Sequence, residues 1–319
     1  AMEFTVAVPP SIPLGEEDLV YYFVDDRLVF WRLNDVDVKK DKSGVTRRQL
    51  IVENYVKDEW AEYSRLDVLS AREVNTVASH RNLFYFCDSQ SLYEFGPGSP
   101  LKVVVRRREG DEALYRVELV NDAYIVYWRS TAKKMFDWYH SYFRMWRKGT
   151  EWREADKSIV TNGRTIFSDL YSLYAKDDKA THIRPLGAGE DKKLPWTVHM
   201  EKCIAHSDVF FVLGKNFKLY LIDGRDTTGE PFDLHQTCQD FTFVGIRGDK
   251  LFLHRFYGDI VYIRIPEKFV REASGSVSDD ELKTRDELLR ELRDLRKMKK
   301  KYEAMLLKEC QKSHVDGGI

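Results

Sequence analysis

The chain has 319 residues, of which 43% are hydrophobic and 13% aromatic, enough for one large all-β domain or two smaller ones with a buried core. Charged residues make up 32% but cancel to a net −1, so whole-chain electrostatics give no argument for nucleic acid or acidic membranes. No apolar run approaches the roughly 20 residues that span a bilayer.

Residues 1–4, Ala-Met-Glu-Phe, read as a cloning remnant, and no secretory signal is visible after them. Residues 5–12 are expected to form a strand that closes a ring against the last repeat, because an open toroid would leave sheet edges exposed. A pattern then recurs along the chain: a short apolar strand, a tight polar turn, and a second strand carrying a Leu-Tyr or similar pair. Residues 19–24 precede Val29-Phe30, 83–86 precede Leu92-Tyr93, and 124–127 precede Met135-Phe136. A weaker Ile166-Phe167 precedes Leu173-Tyr174, 209–213 precede Leu219-Tyr220, and 251–253 precede Val261-Tyr262. The turns hold Asp25-Asp26, Asp88-Ser89, Gly214-Lys215-Asn216 and Tyr257-Gly258-Asp259, residue types that tolerate the positive φ of hairpins. Flanking strands are expected before the pairs at 74–77, 114–120, 158–160, 198–204 and 241–244, and after them at 101–105, 142–146 and 231–234.

Tyr93, Phe136, Tyr174, Tyr220 and Tyr262 stand about 38 to 46 residues apart, the length of a four-stranded propeller blade. The interval from Phe30 to Tyr93 is too long for one blade. In it, 39–48 reads as a polar surface loop, 50–56 as an outer strand, and 60–69 as a short helix or a degenerate strand. The predicted fold is therefore mainly β: a single propeller of six blades, with seven as the alternative, over residues 5–270.

Past Pro266 the character changes. Residues 271–278 read as a linker, and Ser278-Asp279-Asp280-Glu281 is a capping box for a helix over 279–311, with a disordered tail at 312–319. One heptad register places Leu288, Leu292, Leu295, Tyr302 and Leu306 on a seam that Lys299 interrupts, a short coiled coil suited to dimerisation or to pairing with a partner helix.

The repeat length and four-strand layout over 5–270 resemble WD-repeat-like β-propellers. The likeness is architectural, since no Trp-Asp dipeptide closes the repeats and no Gly-His opens them. It implies a rigid disc with a central channel, whose loops bind other proteins.

Residues with catalytic or ligating chemistry are scattered. His199 and Cys203 stand four apart on a strand-like segment, where about 13 Å separates them. His235 and Cys238 lack a second ligand pair, and no zinc spacing, phosphate loop or nucleophile elbow occurs. Cys87, Cys203, Cys238 and Cys310 form no CxxC pair, and free thiols point to a reducing cytoplasm or nucleus. The stretch 133–153 interleaves aromatics with cations, and within it Trp138, Tyr142, Arg144 and Trp146 are the candidate partner contacts. Trp, Tyr and Arg dominate protein hot spots, and the same interleaving can stack single-stranded bases. The expected function is a non-enzymatic scaffold or adaptor that presents propeller loops to a protein partner and needs no cofactor. The helix would add dimerisation or a second attachment. An RNA-binding propeller, or a hydrolase with a channel-centred site, are the alternatives.

Overall fold

The computed structural model describes residues 3–11, 19–40, 42–43, 46–70, 74, 76–80, 82–106, 114–121, 124–130, 141–147, 153–154, 165–168, 170–176, 180–185, 190–197, 202–214, 216–255, 258–271 and 293–305. The chain divides into two compact units, Ala1–Gly96 with Pro100–Ser276, and Pro97–Ser99 with Val277–Ile319.

In the first unit, β1 (Thr5–Val8) is followed by five sheets, each made of four consecutive strands. The first sheet holds β2 (Leu19–Val24), β3 (Phe30–Lys40), β4 (Thr46–Val56) and β5 (Glu59–Ser70). The second holds β6 (Thr76–His80), β7 (Leu83–Cys87), β8 (Ser91–Gly96) and β9 (Ser99–Arg106). The third holds β10 (Leu114–Asn121), β11 (Tyr124–Ser130), β12 (Ser141–Arg147) and β13 (Arg153–Glu154). The fourth holds β14 (Thr165–Phe167), β15 (Tyr171–Lys176), β16 (Ala180–Pro185) and β17 (Lys192–Lys193). The fifth holds β18 (Cys203–His206), β19 (Val209–Leu213), β20 (Lys218–Asp223) and β21 (Phe232–Thr237). A closing sheet joins β22 (Phe241–Arg247), β23 (Lys250–Arg255) and β24 (Ile260–Arg264) to β1, with Val6 opposite Val261.

The apolar runs that mark the repeats are buried on both faces, because each sheet is packed between two others. On β7, Phe84 and Phe86 join Phe23, Trp31 and Leu33 of the first sheet, while Tyr85 and Cys87 meet Val117 of the third. On β19, Phe211 and Leu213 pack with Leu251 and Val261 of the closing sheet, while Phe210 and Val212 pack with Leu173 and Ile183 of the fourth. Tyr22, Val24 and Phe30 cover Val8 and Phe252 across the seam between the first and closing sheets. The first strand of the third sheet lies against that of the fourth. Sheets packed in series around a ring in this way make a WD-repeat-like β-propeller. The structure corrects the expected count of six, or seven, similar blades. Five blades are single stretches of chain, and the remaining sheet is a composite whose outer strand comes from β1.

In the long interval after Phe30, the strand expected at 50–56 and the strand reading of 60–69 hold, as parts of β4 and β5, whereas the loop expected at 39–48 is replaced by strand at 39–40 and 46–48. β2 pairs with β3 only as far as Leu19↔Asp35, whereas β3 continues to Lys40 against β4, and β4 runs to Ser70 of β5. A three-stranded ribbon therefore extends past the end of β2. Much of it is polar because its outer parts are solvent-exposed, although Val38 and Leu69 are exposed there too, and the polar run at 39–48 is what looked like a loop. Its root is clamped by buried Arg48, whose guanidinium pairs with Asp35 and Asp37, while the other Asp35 oxygen accepts the Val74 amide at 3.0 Å.

In the second unit, residues 293–305 are helical and exposed. Leu295 and Tyr302 of the expected seam lie on this helix, while Leu288, Leu292 and Leu306 lie outside the described residues. Among the described residues, no helix is long and apolar enough to cross a membrane.

Candidate interaction surfaces

The turns of the propeller are fixed by one recurring device: an acceptor side chain at the turn's start gathers the amides that follow. Asp25 Oδ1 accepts the Arg27 and Val29 amides at 2.9 and 3.0 Å, and its Oδ2 accepts Trp31 Nε1 at 3.0 Å. Asp88 Oδ1 accepts the Gln90 and Ser91 amides at 2.7 and 2.8 Å, and its Oδ2 accepts the Tyr93 hydroxyl at 2.8 Å. Ser168 Oγ does the same for Tyr171 at 2.9 Å. Each aromatic partner sits on the next strand, so the turn is tied to the core as well as to itself. Burial pushes the Asp88 carboxyl above its ordinary pKa, although its hydrogen bonds pull it down. Burial likewise pushes the Tyr93 phenol up.

Successive turns of an antiparallel sheet alternate between its two ends. The first turns of neighbouring sheets are joined on one face. From the closing sheet, Arg247 donates to the Val24 carbonyl at 2.8 Å and pairs with Asp26 at 3.1 Å. The Asp26 amide donates to Asn82 Oδ1 of the next sheet at 2.8 Å. Further round, the Leu170 amide reaches the Ser207 carbonyl at 3.4 Å. Past β24, Arg271 spans Asp208 and Asp223 of the fifth sheet at 2.8 and 3.0 Å. These bonds cross from sheet to sheet, so loops on this face hold fixed relative positions.

Three turns share one hydrogen-bond pattern. In the first, the Asp25 amide donates to the Val29 carbonyl at 3.0 Å and the Leu28 amide to the Asp25 carbonyl at 3.1 Å. In the second, the Gly214 amide donates to Lys218 at 2.8 Å and Phe217 to Gly214 at 3.0 Å; in the third, Arg255 donates to Asp259 at 3.0 Å and Gly258 to Arg255 at 2.9 Å. This is the hairpin whose last turn residue must take a left-handed backbone and is normally Gly. Gly258 fills that place at φ 94°, whereas Leu28 and Phe217 fill it at φ 60° and 58°. Both are nevertheless exposed, at 43% and 45%. A left-handed backbone costs a side chain with a Cβ about 1–2 kcal/mol. Leu28 stands on the face of joined first turns, where Val56 and Leu170 are also exposed. Phe217 stands at a second turn, on the opposite face.

Several buried ionisable groups among the described residues are engaged in holding the sheets together. Between the first and closing sheets, Arg32 Nε donates to Glu53 at 2.5 Å, Asn34 Nδ2 donates to the same oxygen at 2.8 Å, and the guanidinium lies 4.5 Å from the Trp60 ring centroid. His254 stacks on Tyr22 at 4.1 Å, and burial holds its pKa below the ordinary histidine value, against the attraction of Asp259. The hydrogen bond from Arg255 holds Asp259 below the usual carboxylate range. Among the described residues, no group of His, Cys, Asp or Glu is arranged to hold a metal.

The candidate contacts expected from sequence fall mostly where no side chain is described. Tyr142, Arg144 and Trp146 occupy alternate positions of β12, opposite Arg129, Tyr127 and Ile125 of β11, and Trp138 lies outside the described residues. His199 is also outside them. Cys203 pairs with Val212 on β18, and His235 sits exposed beside Asp233. Sequence reasoning missed Leu28 and Phe217. Their signal is comparative: Asp-Asp-Arg-Leu and Gly-Lys-Asn-Phe put a bulky residue where Arg-Phe-Tyr-Gly puts Gly.

No protein-family model and no curated protein matches the chain. Among solved structures, it is similar to the Pyrococcus horikoshii acylaminoacyl peptidase, with 14% identity, a TM-score of 0.44, and coverage of 80% of this chain and 46% of that one. The chain thus spans about half the length of that peptidase. It is also similar to YCF48 from Cyanidioschyzon merolae, with 10% identity, a TM-score of 0.43, and coverage of 80% and 98%. Kluyvelomyces marxianus Hsv2 shows 13% identity, a TM-score of 0.40, and coverage of 75% and 74%. Likenesses of this size carry no argument about function.

Proposed function

We propose that the protein is a non-enzymatic interaction scaffold that holds propeller turns in fixed positions for a protein partner, with its helix as a second attachment point. The observation that carries this reading is the pair Leu28 and Phe217. Each puts an exposed apolar side chain at a turn position where Gly258 shows the unstrained choice. Strain held where over two-fifths of an apolar side chain still faces solvent points to a contact outside the chain. Two linked attachments would raise the effective concentration of each without strengthening either. Trp138, Tyr142, Arg144 and Trp146 are retained as a further contact region, to be tested in the same way. The free thiols of Cys87, Cys203 and Cys238 support a reducing cytoplasmic or nuclear setting.

The test is affinity purification with mass spectrometry, comparing the unaltered chain with Leu28→Gly and Phe217→Gly. The reading expects at least one variant to lose a partner while keeping its fold by circular dichroism. An identical partner set in both would remove it.

A further inference from the structure

The helix 293–305 carries an apolar stripe with an unusual charge setting. Leu295, Met298, Tyr302 and Met305 follow a three-four-three spacing and are 59%, 56%, 68% and 53% exposed. At about 100° per residue they share a stripe about 80° wide. Met298 and Met305 therefore continue the line that Lys299 interrupted in the register read from sequence. Lys299 and Lys301 lie along the two margins, and Arg293, Arg296, Lys297 and Lys300 occupy the rest. Residues 293–305 carry six cations against two carboxylates, in a chain whose net charge is −1. Both carboxylates already have a lysine of the same helix, Asp294 with Lys297 at 3.8 Å and Glu303 with Lys299 at 3.9 Å. Among the described residues, Arg296, Lys300 and Lys301 form no ion pair.

The charge selects among possible occupants. A second copy in matched register would bring two strongly cationic 293–305 segments side by side, and like charges at that range repel. A flat anionic bilayer takes a helix with a broad apolar face, commonly rich in Trp, Phe and Leu; here the stripe is narrow and lysines stand at both margins. A cleft fits better. Its floor takes anchors spaced three and seven apart, as grooves for amphipathic helices do, and its walls reach the marginal lysines. The two methionines suit an adaptable apolar lining.

We propose that helix 293–305 docks its Leu295–Met298–Tyr302–Met305 stripe into an apolar groove rimmed by carboxylates on a second protein. The proposal rests on reading the helix as a second attachment point and supplies the chemistry of its partner.

The probe is calcium-loaded calmodulin, an acidic protein with a Met-lined groove that takes amphipathic helices. It is titrated into the full chain and followed by calorimetry. The expected result is a dissociation constant of about 10 µM or tighter. Leu295→Asp with Tyr302→Asp should weaken it at least about tenfold, and Lys299→Glu with Lys301→Glu should weaken it with a smaller dependence on salt. These positions are exposed, so the propeller's thermal unfolding should not move. No binding at about 100 µM, or binding that the paired Asp changes leave intact, overturns the proposal. So does a dimer in light scattering that Leu295→Asp abolishes, or stripe-dependent binding to phosphatidylserine vesicles with none to calmodulin. Leu28→Gly and Phe217→Gly should leave calmodulin binding unchanged, which separates this proposal from the turn contacts.

Discussion

Replacing Leu28 with Gly changes one exposed turn residue and tests whether its side chain serves the fold. Three terms set the outcome. Relief of the left-handed backbone at φ 60° returns about 1–2 kcal/mol. The greater freedom of Gly in the unfolded chain costs roughly 0.5–1 kcal/mol. Leu28 is 43% exposed, so it loses somewhat over half of a fully buried leucine's roughly 2 kcal/mol, about 1 kcal/mol. The terms nearly cancel, and urea denaturation should find the variant within about 1 kcal/mol of the unaltered chain. Leu33, fully buried in the same sheet, is the control: Leu33→Ala should cost about 2–5 kcal/mol. The reciprocal change, Gly258→Leu, should cost about 1–2 kcal/mol for its backbone alone, and its new Cβ would meet the Ser11 carbonyl oxygen at 3.4 Å. If Leu28→Gly costs more than about 2 kcal/mol, Leu28 is holding the turn together. Its side chain then serves the fold and not a partner.

Two further outcomes follow from the seam between the first and closing sheets. His254 has a folded pKa below the ordinary 6.5, so under acid the unfolded chain takes up the proton first; stability should fall as pH drops from about 6.5 towards the lowered value. His254→Phe keeps a ring against Tyr22 and should flatten that part of a melting-temperature profile, and an unchanged slope would assign the sensitivity elsewhere. Glu53→Ala leaves Arg32 charged and buried, so it should cost about 3–5 kcal/mol, whereas Arg32→Met with Glu53→Leu removes both charges and strands only the Asn34 amide, at about 1–3 kcal/mol. Chemical denaturation of the single and double variants decides between them.

The repeat was legible because its markers are dictated by packing. A strand such as Leu83–Cys87, covered on both faces, has to be a short continuous apolar run, and such runs stand out between Asp- and Gly-bearing turns. The ribbon was not legible, because strands beyond the end of β2 lose one neighbour and its packing. Arg47, Asp67 and their neighbours can then be polar, and polarity near Gly44 reads as loop. The closing strand was legible, since β1 lies within the 5–12 expected to seal the ring, but the count of six or seven similar blades treated that composite sheet as one more continuous repeat. Leu28 and Phe217 escaped notice for another reason. Asp25-Asp26 and Gly214-Lys215-Asn216 announced turns, but the φ that makes the following residue unusual is a property of the folded backbone. On the helix, the heptad through Leu295 and Tyr302 was visible, while the role of Met298 emerged only from exposure.

The pairing of β1 with β24 also has a kinetic meaning. Val6 and Val8 have no sheet to join until Val261 and Ile260 exist and have turned back beside β23. During synthesis on a ribosome, the intervening blades can assemble while the two ends of the circuit stay apart, and the circuit locks only after the far end has emerged. Contacts of such long sequence separation form slowly. Until they form, β24 leaves the outer edge of the closing sheet unpaired, so the nascent protein depends on protection at this one joint until the two ends meet.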